Sequence, residues 1–253
     1  MNKNTSWENV ASWYDELLSD KDTYQEKVLL PNLLRIVGDI RGKNVVDVAC
    51  GQGYFTRALF AAGARVSGVD ASKSLIAFAR KKGPKGITYF ESNADRLIFF
   101  SPETVDVATC ILAIQNIENL AGVLKETAKI LKKEGVCYLI INHPAFRIPK
   151  ESAWAYDEQK KIQYRRIESY LSQQKNKIDM TPGTHDIKKK EYTVSFHRSL
   201  QDYFKAFAKA GFAVTRLEEW ISHRVSEKGP RQKAEDKARK EFPLFMALEL
   251  KKQ

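Results

Sequence analysis

The sequence predicts an α/β fold built on a mostly parallel sheet, and three observations carry that prediction. Short β-branched runs alternate with amphipathic stretches over the first 144 residues. The first of those runs turns through two glycines straight into a helix-like segment. A chain of 253 residues, 43% hydrophobic and 29% charged, is long enough to bury one large core without disulfide or metal staples, and its composition excludes collagen, coiled coil and disordered tail.

Residues 44–49 (Asn-Val-Val-Asp-Val-Ala), 65–70, 87–91, 105–112 and 135–141 are short, rich in β-branched residues and bounded by turn formers, which makes them five strands. Between them lie crossover helices over 54–62, over 72–82 with Ser72 as N-cap, and over 119–133, where Leu120, Val123, Leu124, Ala128 and Leu131 fall at helical spacing. After Pro144 the rhythm breaks. Residues 145–190 read as an insertion holding an amphipathic helix (Tyr164, Ile167, Tyr170, Leu171), a polar stretch and a turn at Thr181-Pro182-Gly183. The βα pattern then resumes with 193–196, a helix over 200–210 ended by Gly211, and runs at 213–220 and 244–250. The Lys/Glu-rich stretch 227–241 is expected to be a solvated helix. The organisation expected is one domain, 1–253, with N-terminal helices over 1–42.

Charge is uneven along the chain. Of the net +11, residues 1–144 carry +2 and residues 145–253 carry +9, a field that favours anionic partners such as RNA, an acidic metabolite or a membrane surface, or else marks a solvated face. Three widely spaced cysteines, Cys50, Cys110 and Cys137, each within an apolar run, read as buried free thiols in a reducing compartment. No leader-like opening and no membrane-length apolar stretch are present, so a cytoplasmic protein with no membrane partner is expected.

The strongest chemical signal is Asp47-Val48-Ala49-Cys50-Gly51-Gln52-Gly53-Tyr54-Phe55-Thr56. Glycine there lets backbone approach a ligand, and the helix that follows offers unpaired N–H groups. A nicotinamide fingerprint would need glycine or alanine at position 56, and a P-loop would need Gly-Lys-Ser/Thr; neither is present. Asp70 closes the second strand 17 residues beyond Gly53. A carboxylate in that place accepts hydrogen bonds from both hydroxyls of a ribose and repels a 2′-phosphate, which points to a nucleoside ligand lacking that phosphate.

These residues resemble the class I S-adenosylmethionine-dependent methyltransferases, in particular the small-molecule branch similar to ubiquinone-biosynthesis methyltransferases. The resemblance spans about residues 10–143, and 193–250 more loosely. It implies a doubly wound, Rossmann-like seven-stranded sheet of order 3-2-1-4-5-7-6 with the last strand antiparallel, a substrate lid over 145–190, and S-adenosylmethionine as cofactor. Asp47 to Gly53 matches the family's Asp-x-Gly-Cys-Gly-x-Gly, departing at Ala49. By the same resemblance Gly51 and Gly53 lie against the methionine end, Asp70 holds the ribose, and Asn93 with Ala94 meets the adenine, Asn93 standing where an acid is usual. The segment from Ile111 to Ile117 closes beside the sulfonium, and Tyr14 matches an N-terminal aromatic that covers the cofactor.

Methyl transfer from a sulfonium is an in-line displacement with an activated leaving group, so positioning and desolvation supply much of the catalysis and a dedicated catalytic residue is optional. No Asp/Asn-Pro-Pro-Tyr/Phe follows the fourth strand and no cysteine follows a proline, which argues against DNA-base amino methylation and cytosine C5 methylation. Acidic residues for a catechol-type metal site are missing, and the four histidines lack ligand spacing, so no metal is expected. His143, directly after the fifth strand, is either a general base toward the acceptor or a loop cap. His197 resembles a position bordering the substrate pocket in some relatives; His185 and His223 read as surface residues.

Within 160–190 nine Lys/Arg stand against three Asp/Glu, with Tyr164 and Tyr170 among them. This suits a small anionic or aromatic acceptor. It also suits RNA, although no RNP or KH signature is present, and Arg165, Arg166, Lys188, Lys189 and Lys190 would then form the backbone-binding surface. A nicotinamide-dependent oxidoreductase and a catalytically silent nucleoside-binding module are the readings of another class.

Overall fold

A computed structural model of the chain describes residues 6–18, 22–181 and 190–253. His185, Lys188, Lys189 and the Pro182-Gly183 step of the expected turn lie outside the described residues.

Seven strands form the central sheet: β1 (Asn44–Val48), β2 (Arg65–Asp70), β3 (Thr88–Glu91), β4 (Val105–Ile111), β5 (Leu131–Asn142), β10 (Phe212–Trp220) and β11 (Phe245–Lys252). Their order is β3-β2-β1-β4-β5-β11-β10, with β11 antiparallel to both neighbours. This is the order and the antiparallel last strand expected from the sequence.

The helices α3 (Tyr54–Ala61), α4 (Lys73–Lys82) and α5 (Leu120–Ile130) make the crossovers, and Ser72 caps α4 by accepting from Leu75 N. Period-two alternation sorts the strand residues onto two faces. On one face Val46, Val48, Ala108 and Leu139 pack with α5 and with Tyr203 and Phe207 of α6 (Leu200–Lys209). On the other face Val45, Val66, Val107 and Ile140 pack with α3 and with α2 (Leu30–Val37). A sheet covered on both faces leaves its carboxyl edge, between the spreading loops, as the place where a ligand fits.

The insertion differs from expectation. Instead of a helix around Tyr164, β6 (Ser152–Asp157) and β7 (Ile162–Ile167) form an antiparallel hairpin. The inward residue Arg165 stacks on Trp154 and donates to Phe146 O at 2.8 Å, while Ile162 and Tyr164 face outward. The run expected at 193–196 is β9 (Tyr192–His197), and it pairs with β8 (Gln174–Asp179) in a second hairpin apart from the main sheet. The charged stretch near 227–241 contains α7 (Gln232–Glu241), whose middle packs against β7. At the N-terminal end α1 (Ala11–Leu17) lies against α4. No helix among the described residues is long and apolar enough to cross a membrane.

Candidate active site

The loop after β1 follows from its dihedral angles. Ala49, Gly51 and Gly53 all have positive φ, +57°, +57° and +78°. This alternation turns the backbone sharply, so that the N–H of Gly51 reaches Asp70 Oδ2 at 2.8 Å, and Gly53 ends the turn as the N-cap residue of α3. A side chain at Gly53 would meet the Tyr89 hydroxyl at 2.6 Å, so glycine is required there twice over. Ala49 holds the same left-handed backbone with a Cβ, at a cost of about 1 kcal/mol.

Asp47 is the buried anchor of the loop. Its Oδ2 accepts from Thr56 Oγ1 at 2.6 Å and its Oδ1 from Thr109 Oγ1 at 2.8 Å. Burial nonetheless pushes its carboxyl up to about 6, against the two threonine bonds. Asp70, also buried, is shifted upward by burial too, opposed by the backbone N–H groups of Ser72 and Gly51. Its Oδ1 accepts from Ser72 N and its Oδ2 from Gly51 N, both at 2.8 Å. Each carboxylate oxygen has capacity for a second donor, which two vicinal hydroxyls would supply.

These groups open onto a cavity of ≈ 660 Å³. Of the residues expected to bind a cofactor, Tyr14, Asp47, Ala49, Gly51, Asp70, Asn93, Ala94 and Ile111 line it. Gly53 does not; it shapes the loop from behind. Burial pushes the Tyr14 hydroxyl up to about 12, and its ring meets Trp7 edge-on at 5.2 Å. Among the described residues the charged lining is Asp47, Asp70, Asp95, Glu118 and Lys175, with Lys175 bonded to Glu118 at 3.3 Å. A chain of net charge +11 thus lines this cavity, among the described residues, with four carboxylates and one ammonium, the acceptor set of a pocket for a cationic ligand bearing ribose hydroxyls. S-adenosylmethionine, with a sulfonium, an ammonium and one carboxylate, fits that charge and those acceptors.

Neither histidine lines the cavity. His143 is buried with Nδ1 accepting from Ala145 N at 3.2 Å, which leaves Nε2 to donate to Glu219 at 2.7 Å. Burial lowers its pKa, with Glu219 opposing. With both ring nitrogens engaged and the ring outside the cavity lining, the contacts of His143 are those of a loop cap, and no free nitrogen of it faces the cavity. His197 is buried beside the cavity wall, with Nε2 on Tyr170 O at 2.7 Å, while its neighbours Phe196 and Val194 do line the cavity. His223 is partly buried against Asp22 at 3.1 Å.

Sequence reasoning missed Thr109, Trp7, Glu118, Lys175 and Phe196. Thr56, met there only as the residue that breaks the nicotinamide spacing, is here a ligand of Asp47. The wall residues come from three distant segments, and no local pattern connects them.

The sheet order, the left-handed glycine loop and the acid-lined cavity are the arrangement of the class I S-adenosylmethionine-dependent methyltransferases, to which this chain is similar and whose cofactor, S-adenosylmethionine, fits the site. Residues 46–139 match the family described as methyltransferase domain. The chain is similar to ubiquinone biosynthesis O-methyltransferases, 29% identical over 147 residues to that of Stutzerimonas stutzeri and 31% over 140 residues to that of Vibrio cholerae. Those matches cover 56% and 53% of this chain and only 62% and 57% of the relatives. Among solved structures, an S-adenosylmethionine-dependent methyltransferase from Mesorhizobium loti superposes with TM-score 0.68 at 26% identity, over 88% of this chain and 96% of that one. A glycopeptide N-methyltransferase complexed with S-adenosylmethionine shares the fold, with TM-score 0.59 at 13% identity over 88% and 92% of the two chains.

Proposed function

We propose that this protein methylates a small aromatic acceptor at oxygen, using S-adenosylmethionine. The observation that carries the reading is a single cavity whose wall joins Asp70 and Asn93 to Val194, Phe196 and Lys175 of the β8–β9 hairpin. When bound, the cofactor supplies a methyl group on a positively charged sulfur, already activated for displacement. Asp70 would hold the ribose hydroxyls, Asn93 and Ala94 the adenine, and Gly51 the methionine end, as the resemblance implies, while Gly53, expected beside Gly51, lies outside the cavity lining. Asp47 and Asp70 set a negative field around the cationic centre, while Tyr14 and Trp7 exclude water from it.

On the side we assign to the acceptor, Phe196, Leu112, Ala113 and Val194 offer apolar and aromatic walls. Among the described residues an anionic acceptor finds only Lys175 there, which is paired with Glu118, so these walls favour the aromatic alternative over the anionic one. Oxygen as the nucleophile is supported by the similarity to ubiquinone biosynthesis O-methyltransferases. With His143 and His197 held elsewhere, rate enhancement falls to orientation and desolvation, which suits an acceptor hydroxyl acidic enough to ionise in water, such as a phenol. Within the expected lid over 145–190, β8 reaches the cavity through Lys175, and its partner strand β9 adds Val194 and Phe196, whereas β7 of the other hairpin packs on α7. The hairpin of β8 and β9 is therefore the part we assign to acceptor closure. Free Cys50, Cys110 and Cys137 support a cytoplasmic setting.

Transfer of labelled methyl in a metabolite extract and in an RNA extract, each at low and high salt, tests the reading. Label in small molecules with weak salt dependence supports it. Label in RNA, with binding lost steeply as salt rises, replaces it with the RNA reading.

A further inference from the structure

The segment that brings Trp7 and Tyr14 to the cavity is held by a carboxylate the reaction does not use. Glu8 Oε2 accepts from Ser72 Oγ at 2.6 Å, and Glu8 Oε1 accepts from Ser74 Oγ at 2.6 Å and from Ser74 N at 3.2 Å. Both serines begin α4, where an anion is favoured by the helix N-terminus and charge-assisted bonds are strong. Ser72 does three things at once: its hydroxyl donates to Glu8, the same oxygen caps α4, and its N–H donates to Asp70. The segment is tied twice more, by Asp15 to Lys82 on α4 and by Ser6 Oγ accepting from Val194 N at 3.3 Å on β9. Residues 6–18 thus bridge from α4 to β9 with Ser6, Trp7, Tyr14 and Leu18 facing the cavity.

We propose that Glu8 is a positioning residue that latches the N-terminal segment shut over the cofactor end of the cavity and so sets how long the cofactor is retained. Ligand held under a closed segment leaves only when the segment opens, so a change in the open fraction reads out in the release rate. A carboxylate is suited to the task because two hydroxyls and an N–H converge on it. Burial opposes its charge, but the Ser72 and Ser74 bonds prevail and hold the Glu8 carboxyl below its ordinary value. The retention claim rests on the cofactor reading above; the latch itself does not.

The test is hydrogen exchange over residues 7–18 in the intact protein without ligand, together with the release rate of S-adenosylhomocysteine. Glu8→Ala is expected to speed both at least about tenfold, since it removes every hydrogen bond to that carboxylate and even one such bond is worth about that factor. Exchange in β1 and β4 should stay unchanged. Glu8→Gln, which keeps an acceptor oxygen, should fall between wild type and Glu8→Ala. Ser74→Ala leaves the α4 cap in place and should move both readouts the same way, so it serves if Glu8→Ala fails to fold. Unchanged exchange, or faster exchange with unchanged release, overturns the proposal. Failure of S-adenosylhomocysteine to bind the wild type would instead remove the cofactor reading and the retention claim with it, while exchange still decides whether Glu8 latches the segment.

Discussion

The hydroxyl of Thr56, in the first turn of α3, donates to Oδ2 of Asp47 on β1 at 2.6 Å, tying the helix behind the ligand loop to the strand that leads into it. Because both groups are buried, the bond is expected to matter more than an average one. Thr56→Val keeps the shape and leaves a buried carboxylate oxygen short of a donor, which costs about 1–3 kcal/mol. Urea denaturation should show that loss, with Thr56→Ser closer to wild type. The loss should be larger at pH 8, where Asp47 is charged, than at pH 5.

The pH dependence of Asp47 itself has a definite sign. Its folded carboxyl titrates at about 6, above the ~3.9 of an unfolded aspartate, so the folded state binds the proton more tightly. Its contribution to stability is therefore full below pH ~4 and declines as pH rises to about 6. A cationic ligand prefers the charged form, so cofactor affinity should rise over the same interval and level off above it. Titrating S-adenosylhomocysteine would not report the sulfonium charge; S-adenosylmethionine should show the steeper rise between about pH 4 and pH 6. Asp47→Asn should flatten that difference, and a difference that survives in Asp47→Asn contradicts the assignment.

Most of the sheet was legible because its strands are buried on both faces and carry β-branched runs that local pattern detects. The hairpin of β6 and β7 was not, because its inward positions include Gln163 and Arg165 while Ile162 and Tyr164 point outward, inverting the usual pattern. Arg165 is accommodated there by stacking on Trp154 and by bonding to the Phe146 carbonyl, contacts that no spacing announces. At the site, Asp47, Gly51 and Asp70 were readable because the turn and the strand ends are local features. His143 was placed correctly at the end of β5, but its ring turns to Glu219, 76 residues away on β10. Only the fold shows which way it faces.

Ala49 occupies a left-handed backbone position at φ +57°. Replacing it with glycine relieves strain of about 1 kcal/mol and returns part of that as unfolded-state entropy. Ala49→Gly should therefore stabilise the protein by about 0.5 kcal/mol, visible as a rise of a few degrees or less in Tm. A fall in Tm would show that the Ala49 methyl packs favourably against the loop.

Phe196 contributes an aromatic wall at the acceptor end, far in sequence from the cofactor groups. Phe196→Ala should raise KM for a phenolic acceptor by about tenfold, the loss of a stacking contact and its buried area, with KM for S-adenosylmethionine little changed. Steady-state kinetics with each substrate varied in turn separates the two. Equal effects on both would place Phe196 at the cofactor instead.

The account stands most directly on Asp70. Calorimetric titration of S-adenosylhomocysteine into wild type and Asp70→Ala, with melting curves to confirm that both are folded, measures its part in holding the ribose. The account predicts weakening by about 1.5–3 kcal/mol, the range for hydrogen bonds to a charged group. Equal affinity in a folded Asp70→Ala protein would contradict it.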